Sequence, residues 1–107
     1  PMHKLMILFK RSADSLDVET RWSNEFVKQA EAMPGLRRVS VSRVVGGPSG
    51  EVDLQMVHEF YFDDLQALQQ ALASPEGQIA GKALMSFAAE HVTICFVEHM
   101  EEARGED

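Results

Sequence analysis

LRRVSVSRVVGGPSGEVDLQMVHEFYF, residues 36–62, decides the fold of this 107-residue chain. Leu36 to Val45 alternates β-branched with polar residues, which predicts a strand whose two faces meet different surroundings. Gly46 to Asp53, GGPSGEVD, is a loop crowded with residues that break regular structure. Leu54 to Phe62 is a second strand, rich in aromatic and aliphatic residues. Two strands joined by so short a connection pair antiparallel.

Helical patterns flank this hairpin on both sides. Upstream, Val18, Trp22, Phe26, Ala30 and Met33 recur at helical spacing, behind the capping residues Asp14, Ser15 and Asp17, until Pro34-Gly35 ends the run. Before them, His3 to Lys10 is a short apolar strand bounded by charge. Downstream, Asp63 caps a helix striped by Leu65, Leu68 and Leu72, and Ser74-Pro75-Glu76 restarts one whose inward residues are Ile79, Ala83 and Phe87. Val92 to His99 is the last strand. The order β-α-β-β-α-β makes an α+β domain over residues 2–100. Right-handed crossovers give a four-stranded antiparallel sheet of order 4-1-3-2 with helices on one face. The tail EEARGED, 101–107, is acidic and reads as solvated and disordered.

Strand parity divides the sheet. Leu5, Ile7, Phe9, Val39, Val41, Met56, Phe60, Phe62, Val92, Ile94 and Phe96 turn toward the helices. The bare face holds Met6, Leu8, Arg38, Ser40, Ser42, Val57, Glu59, Tyr61, Thr93, Cys95, Val97 and His99. That mixture is too apolar for water, so a second copy of the sheet is the expected cover, giving a homodimer with a barrel between the sheets. Pairing Val45 with Leu54 places Ser40 opposite Glu59 and Arg38 opposite Tyr61, with Arg38 and Glu59 as diagonal neighbours. The result is a mostly apolar cleft with a few polar groups, the usual composition of a small-molecule site. Glu59 stands out: burial should raise its pKa and fit it to handle a proton. The alternative is a structural ion pair with Arg38.

Other chemistry finds little support. The net charge is −7, three of it in the tail, which argues against nucleic acid. His3, His58, His91 and His99 show no metal-ligand spacing, and GGPSG lacks the spacing of a nucleotide cradle, so neither metal nor cofactor is expected. One cysteine, Cys95, excludes an internal disulfide and suits a reducing cytoplasm. No apolar run approaches the length of a membrane span.

Arg21-Trp22, then Pro34-Gly35-Leu36-Arg37-Arg38, then Glu59-Phe60-Tyr61-Phe62-Asp63 with Leu65, Ala67 and Leu68, then Ser74-Pro75-Glu76, together resemble the EthD family over roughly residues 3–100. The resemblance implies a ferredoxin-like fold and a dimeric α+β barrel. The wider superfamily includes cofactor-free monooxygenases of aromatic polyketide pathways, lactone isomerases and haem-dependent enzymes, while EthD proteins accompany ether-degrading oxygenases. The implied function is binding of a small apolar or aromatic compound in the cleft, by Arg38, Ser40, Tyr61, Met6, Leu8, Cys95, Val97 and Trp22. Glu59 would be the catalytic residue of a cofactor-free oxygenase or isomerase. The alternative is a non-catalytic binding or accessory subunit supporting a partner oxygenase. One departure matters. Many relatives place a histidine four residues after the tryptophan, where this chain has Phe26.

Overall fold

The computed structural model describes residues 2–105. Its elements are β1 (Met2–Lys10), α1 (Ser15–Arg21), a π-helical turn (Trp22–Phe26), α2 (Val27–Ala30), β2 (Arg38–Arg43), β3 (Leu54–Phe62), α3 (Leu65–Ala73), α4 (Pro75–Ala88) and β4 (Val92–His99). The sheet is antiparallel with order β2-β3-β1-β4, and the hairpin register sets Arg38 against Tyr61 and Ser40 against Glu59. Glu106 and Asp107, part of the tail read as disordered, lie outside the described residues.

The first helical segment is not one regular helix. Each four-residue step among Val18, Trp22, Phe26 and Ala30 carries an α-helix about 40° past a full turn. A stripe of such steps would rotate off the sheet. The wider π turn takes up that drift: the Val27 N–H donates to the Trp22 carbonyl, and all four side chains are buried.

The core forms where the helices cover the two inner strands, around Ile7, Phe9, Met56, Phe60, Phe62, Leu68 and Leu84. At the edges the parity argument overshoots. Val41 on β2, and Ile94 and Phe96 on β4, stay partly exposed because the helices cover the edge strands incompletely. Two helix details also differ from the sequence reading. Asp64 rather than Asp63 caps α3, accepting from Ala67 N–H at 2.8 Å. The inner face of α4 is Gly77, Ala80, Leu84 and Ala88, leaving Ile79 exposed. Three of those four residues are small. This lets α4 approach α3 and leaves volume unfilled over the sheet. Ser74 caps α4 as expected, accepting from Gly77 N–H at 3.1 Å ahead of Pro75.

Candidate functional site: a charged network and an apolar cavity on opposite sheet faces

On the bare face, Glu59 is the centre of a network. Its Oε1 lies 2.7 Å from Lys4 Nζ, and its Oε2 accepts from Ser40 Oγ at 3.0 Å and from the Tyr61 hydroxyl at 3.4 Å. The Lys4 and Glu59 side chains are only 11 % and 13 % exposed. Burial pushes the Glu59 carboxyl up. The hydrogen bonds from Lys4 and Ser40, the Lys4 charge and the Tyr61 hydroxyl outweigh it and hold the group below its ordinary value. Lys4 answers in the opposite sense: burial draws it down, but Glu59 and Tyr61 leave it raised.

Two expectations are corrected here. Glu59 is not a carboxyl with a raised pKa, because its partners stabilise the charged form more than burial penalises it. Nor does it pair with Arg38. From the edge strand β2, the Arg38 guanidinium lies over the Tyr61 ring at 4.2 Å and donates to Glu101 Oε1 at 3.4 Å, which also sits 2.8 Å from His99 Nε2. The missed partner, Lys4, shares the parity of Met6 and Leu8 and faces Tyr61 across the β1–β3 pairing. Its position two residues before Met6 was the available signal. Met6, Leu8, Cys95 and Val97 occupy the same face, half-buried, on the paired strands β1 and β4.

Trp22, expected with this group, lies across the sheet from it. Its Nε1–H donates to His58 Nδ1 at 3.0 Å on the helix side. The indole can only donate, so Nδ1 accepts and the imidazole proton sits on Nε2. His58 is fully buried among Trp22, Phe26 and Phe60, and burial lowers its pKa to about 4. His58 Nε2 has no hydrogen-bond partner among the described residues.

The same side holds a cavity of about 240 Å³ that strand parity did not reveal. Leu5, Ile7, Ile94 and Phe96 form its floor. Phe26, Ala30 and Met33 close one wall, and Leu72, Gly77, Ala80, Gly81 and Leu84 the other. Among the described residues its lining contains no side chain able to ionise or to donate a hydrogen bond. Phe26 is one of its walls. Chemically, such a space can hold an apolar body and offers it no proton donor and no acceptor beyond the weak Met33 thioether. No group of three or more His, Cys, Asp or Glu side chains placed to hold a metal ion occurs among the described residues. Within the same limits, no helix is long and apolar enough to cross a membrane.

A βαββαβ chain with one bare sheet face and helices packed on the other has the ferredoxin-like architecture. The EthD domain matches residues 10–91, and the chain belongs to the EthD family. An EthD-family protein of Bacillus halodurans is 35 % identical, covering 94 % of this chain and 100 % of its own, with a TM-score of 0.89. More distant structures share the fold. One is a dimeric protein of unknown function from Bacteroides fragilis, 20 % identical, with coverage of 92 % and 96 % and a TM-score of 0.62. Another is SnoaB, a cofactor-independent oxygenase of Streptomyces nogalater, 17 % identical, with coverage of 98 % and 97 % and a TM-score of 0.63.

Proposed function

We propose that this chain is a homodimeric binding protein for a small apolar or aromatic compound, held in the cavity between sheet and helices rather than between the two sheets. The observation that carries this reading is the wholly apolar lining of a space of about 240 Å³. A closed apolar cavity of roughly 150 Å³ accepts benzene, so this larger, partly open one suits a bigger apolar ring compound. Dimerisation is supported by the half-buried Met6, Leu8, Val57, Cys95 and Val97 on the bare face and by the dimeric Bacteroides structure of the same fold. In this reading Arg38, Ser40 and Tyr61 belong with Glu59 to a polar network at the rim of the dimer interface.

Binding without catalysis is favoured by what the basic groups are doing. Glu59 is ion-paired on the far side of the sheet. His58 has Nδ1 occupied by Trp22, so its remaining nitrogen donates and does not accept. The chain then sequesters or hands over a compound to a partner enzyme. A second reading, a cofactor-free oxygenase or isomerase with Glu59 as the proton-handling residue, draws support from the shared fold with SnoaB. Equilibrium titration with the neutral fluorophore N-phenyl-1-naphthylamine tests the first reading. Saturable binding is expected, lost in Ala80→Phe with the fold retained. Undiminished binding by Ala80→Phe would contradict it. Substrate-dependent oxygen uptake that disappears in Glu59→Gln would support the second.

A further inference from the structure

We infer that the seam between α4 and β4 is the route into the cavity, and that Gly81 sets its width. This rests on the small-molecule reading and adds the path and orientation of the ligand. Outside the seam lies an open groove of about 770 Å³. Leu72, Gly77, Gly81, Leu84 and Ile94 line both groove and cavity, so the two spaces are separated by one layer of side chains. That layer is thinnest at the glycines, and they differ in why they are glycine. A Cβ on Gly77 would stand 2.1 Å from the Ala71 carbonyl oxygen, so the α3–α4 corner requires it. A Cβ on Gly81 would meet nothing within 4 Å. Packing therefore gives no reason for Gly81, while glycine inside a helix weakens it. What its missing side chain does leave is open space at the shared wall.

The chemistry of the two spaces fixes which end of a ligand goes first. The cavity lining offers no polar side chain, so a polar substituent buried there would lose its hydrogen bonds to water without replacement. The groove carries Gln78 and Lys82 among its lining residues. The ligand class is thus an apolar ring system with at most one polar or acidic substituent, which stays in the groove beside them.

Stopped-flow fluorescence of N-phenyl-1-naphthylamine binding to the full chain tests this. Gly81→Phe projects into open space and narrows the seam from the helix side; Ile94→Trp narrows it from the strand and serves if the first variant fails to fold. The expected result is an association rate constant lowered by about tenfold or more in a folded variant. Wild-type association rates in both variants would overturn the route while leaving the cavity. No saturable binding by the wild-type chain would overturn the cavity reading and the route together. Comparison with 8-anilinonaphthalene-1-sulfonate, the same ring system bearing a sulfonate, checks orientation: its affinity should fall in Lys82→Glu while that of the neutral probe holds. Equal loss for both probes would overturn the assigned orientation.

Discussion

Trp22 Nε1–H donates to His58 Nδ1 at 3.0 Å, joining the π turn to the inner strand β3. The bond locks a buried imidazole in its neutral form, and burial takes its pKa from 6.5 to about 4. The unfolded chain therefore binds a proton that the folded chain refuses between those values. Stability must fall as pH drops through 6.5 and stop falling on this account below about 4. The loss between pH 7 and pH 5 is about 2 kcal/mol. Urea denaturation at the two pH values should show it, and His58→Gln should remove most of the difference.

The Lys4–Glu59 pair has the same sense at its acidic end and the opposite sense at its basic end. Glu59 is depressed, so its contribution is present above the ordinary carboxylate pKa and is lost as pH falls through the lower folded value. Lys4 is raised, so its contribution is complete below its ordinary pKa and is lost only as pH rises through the higher folded one. Lys4→Met strands a buried carboxylate and should cost about 3 kcal/mol at neutral pH in chemical denaturation. Adding Glu59→Leu to Lys4→Met should restore most of that. A double variant no better than the single one would show that the pair does more than neutralise itself.

Two glycines four residues apart on α4 should respond to alanine with opposite signs. Gly77→Ala drives a methyl into the Ala71 carbonyl and the Leu72 backbone, and should destabilise by about 2–3 kcal/mol. Gly81→Ala meets open space and should stabilise by about 0.5–1 kcal/mol. Thermal melts of the two variants side by side read this directly.

The bare face should hold the dimer. Sedimentation at micromolar concentration is expected to give a dimer for the wild-type chain and a folded monomer for Leu8→Glu or Val97→Glu. A wild-type monomer at that concentration would remove the barrel arrangement.

Most of the architecture was legible in the sequence because its signals are local. Pro34-Gly35, Ser74-Pro75-Glu76 and the alternating hairpin mark ends and faces without reference to the rest of the chain. The register of Ser40 on Glu59 followed once Val45 was paired with Leu54 across the loop. The site was legible only in part. Parity placed Glu59, Ser40 and Tyr61 on one face correctly, but it cannot rank partners, so Arg38 stood in for Lys4. It also cannot say how far helices extend over a sheet, hence the exposed Ile94 and Phe96. The cavity was invisible for a related reason. It arises from Gly77, Ala80 and Gly81 being too small to fill the space over Leu5 and Ile7, a property of packing between distant segments. The four-residue steps through Trp22 and Phe26 read as one regular helix, and the π turn within it came only from the packing.

Where the ligand sits is the central claim, and intermolecular nuclear Overhauser effects on a methyl-labelled sample locate it. Contacts from the aromatic protons of bound N-phenyl-1-naphthylamine to the methyls of Ile7, Ala30, Ala80 and Leu84 are the predicted result. Contacts instead to Leu8, Val57 and Val97, on the opposite sheet face, would place the ligand between the sheets and contradict the account.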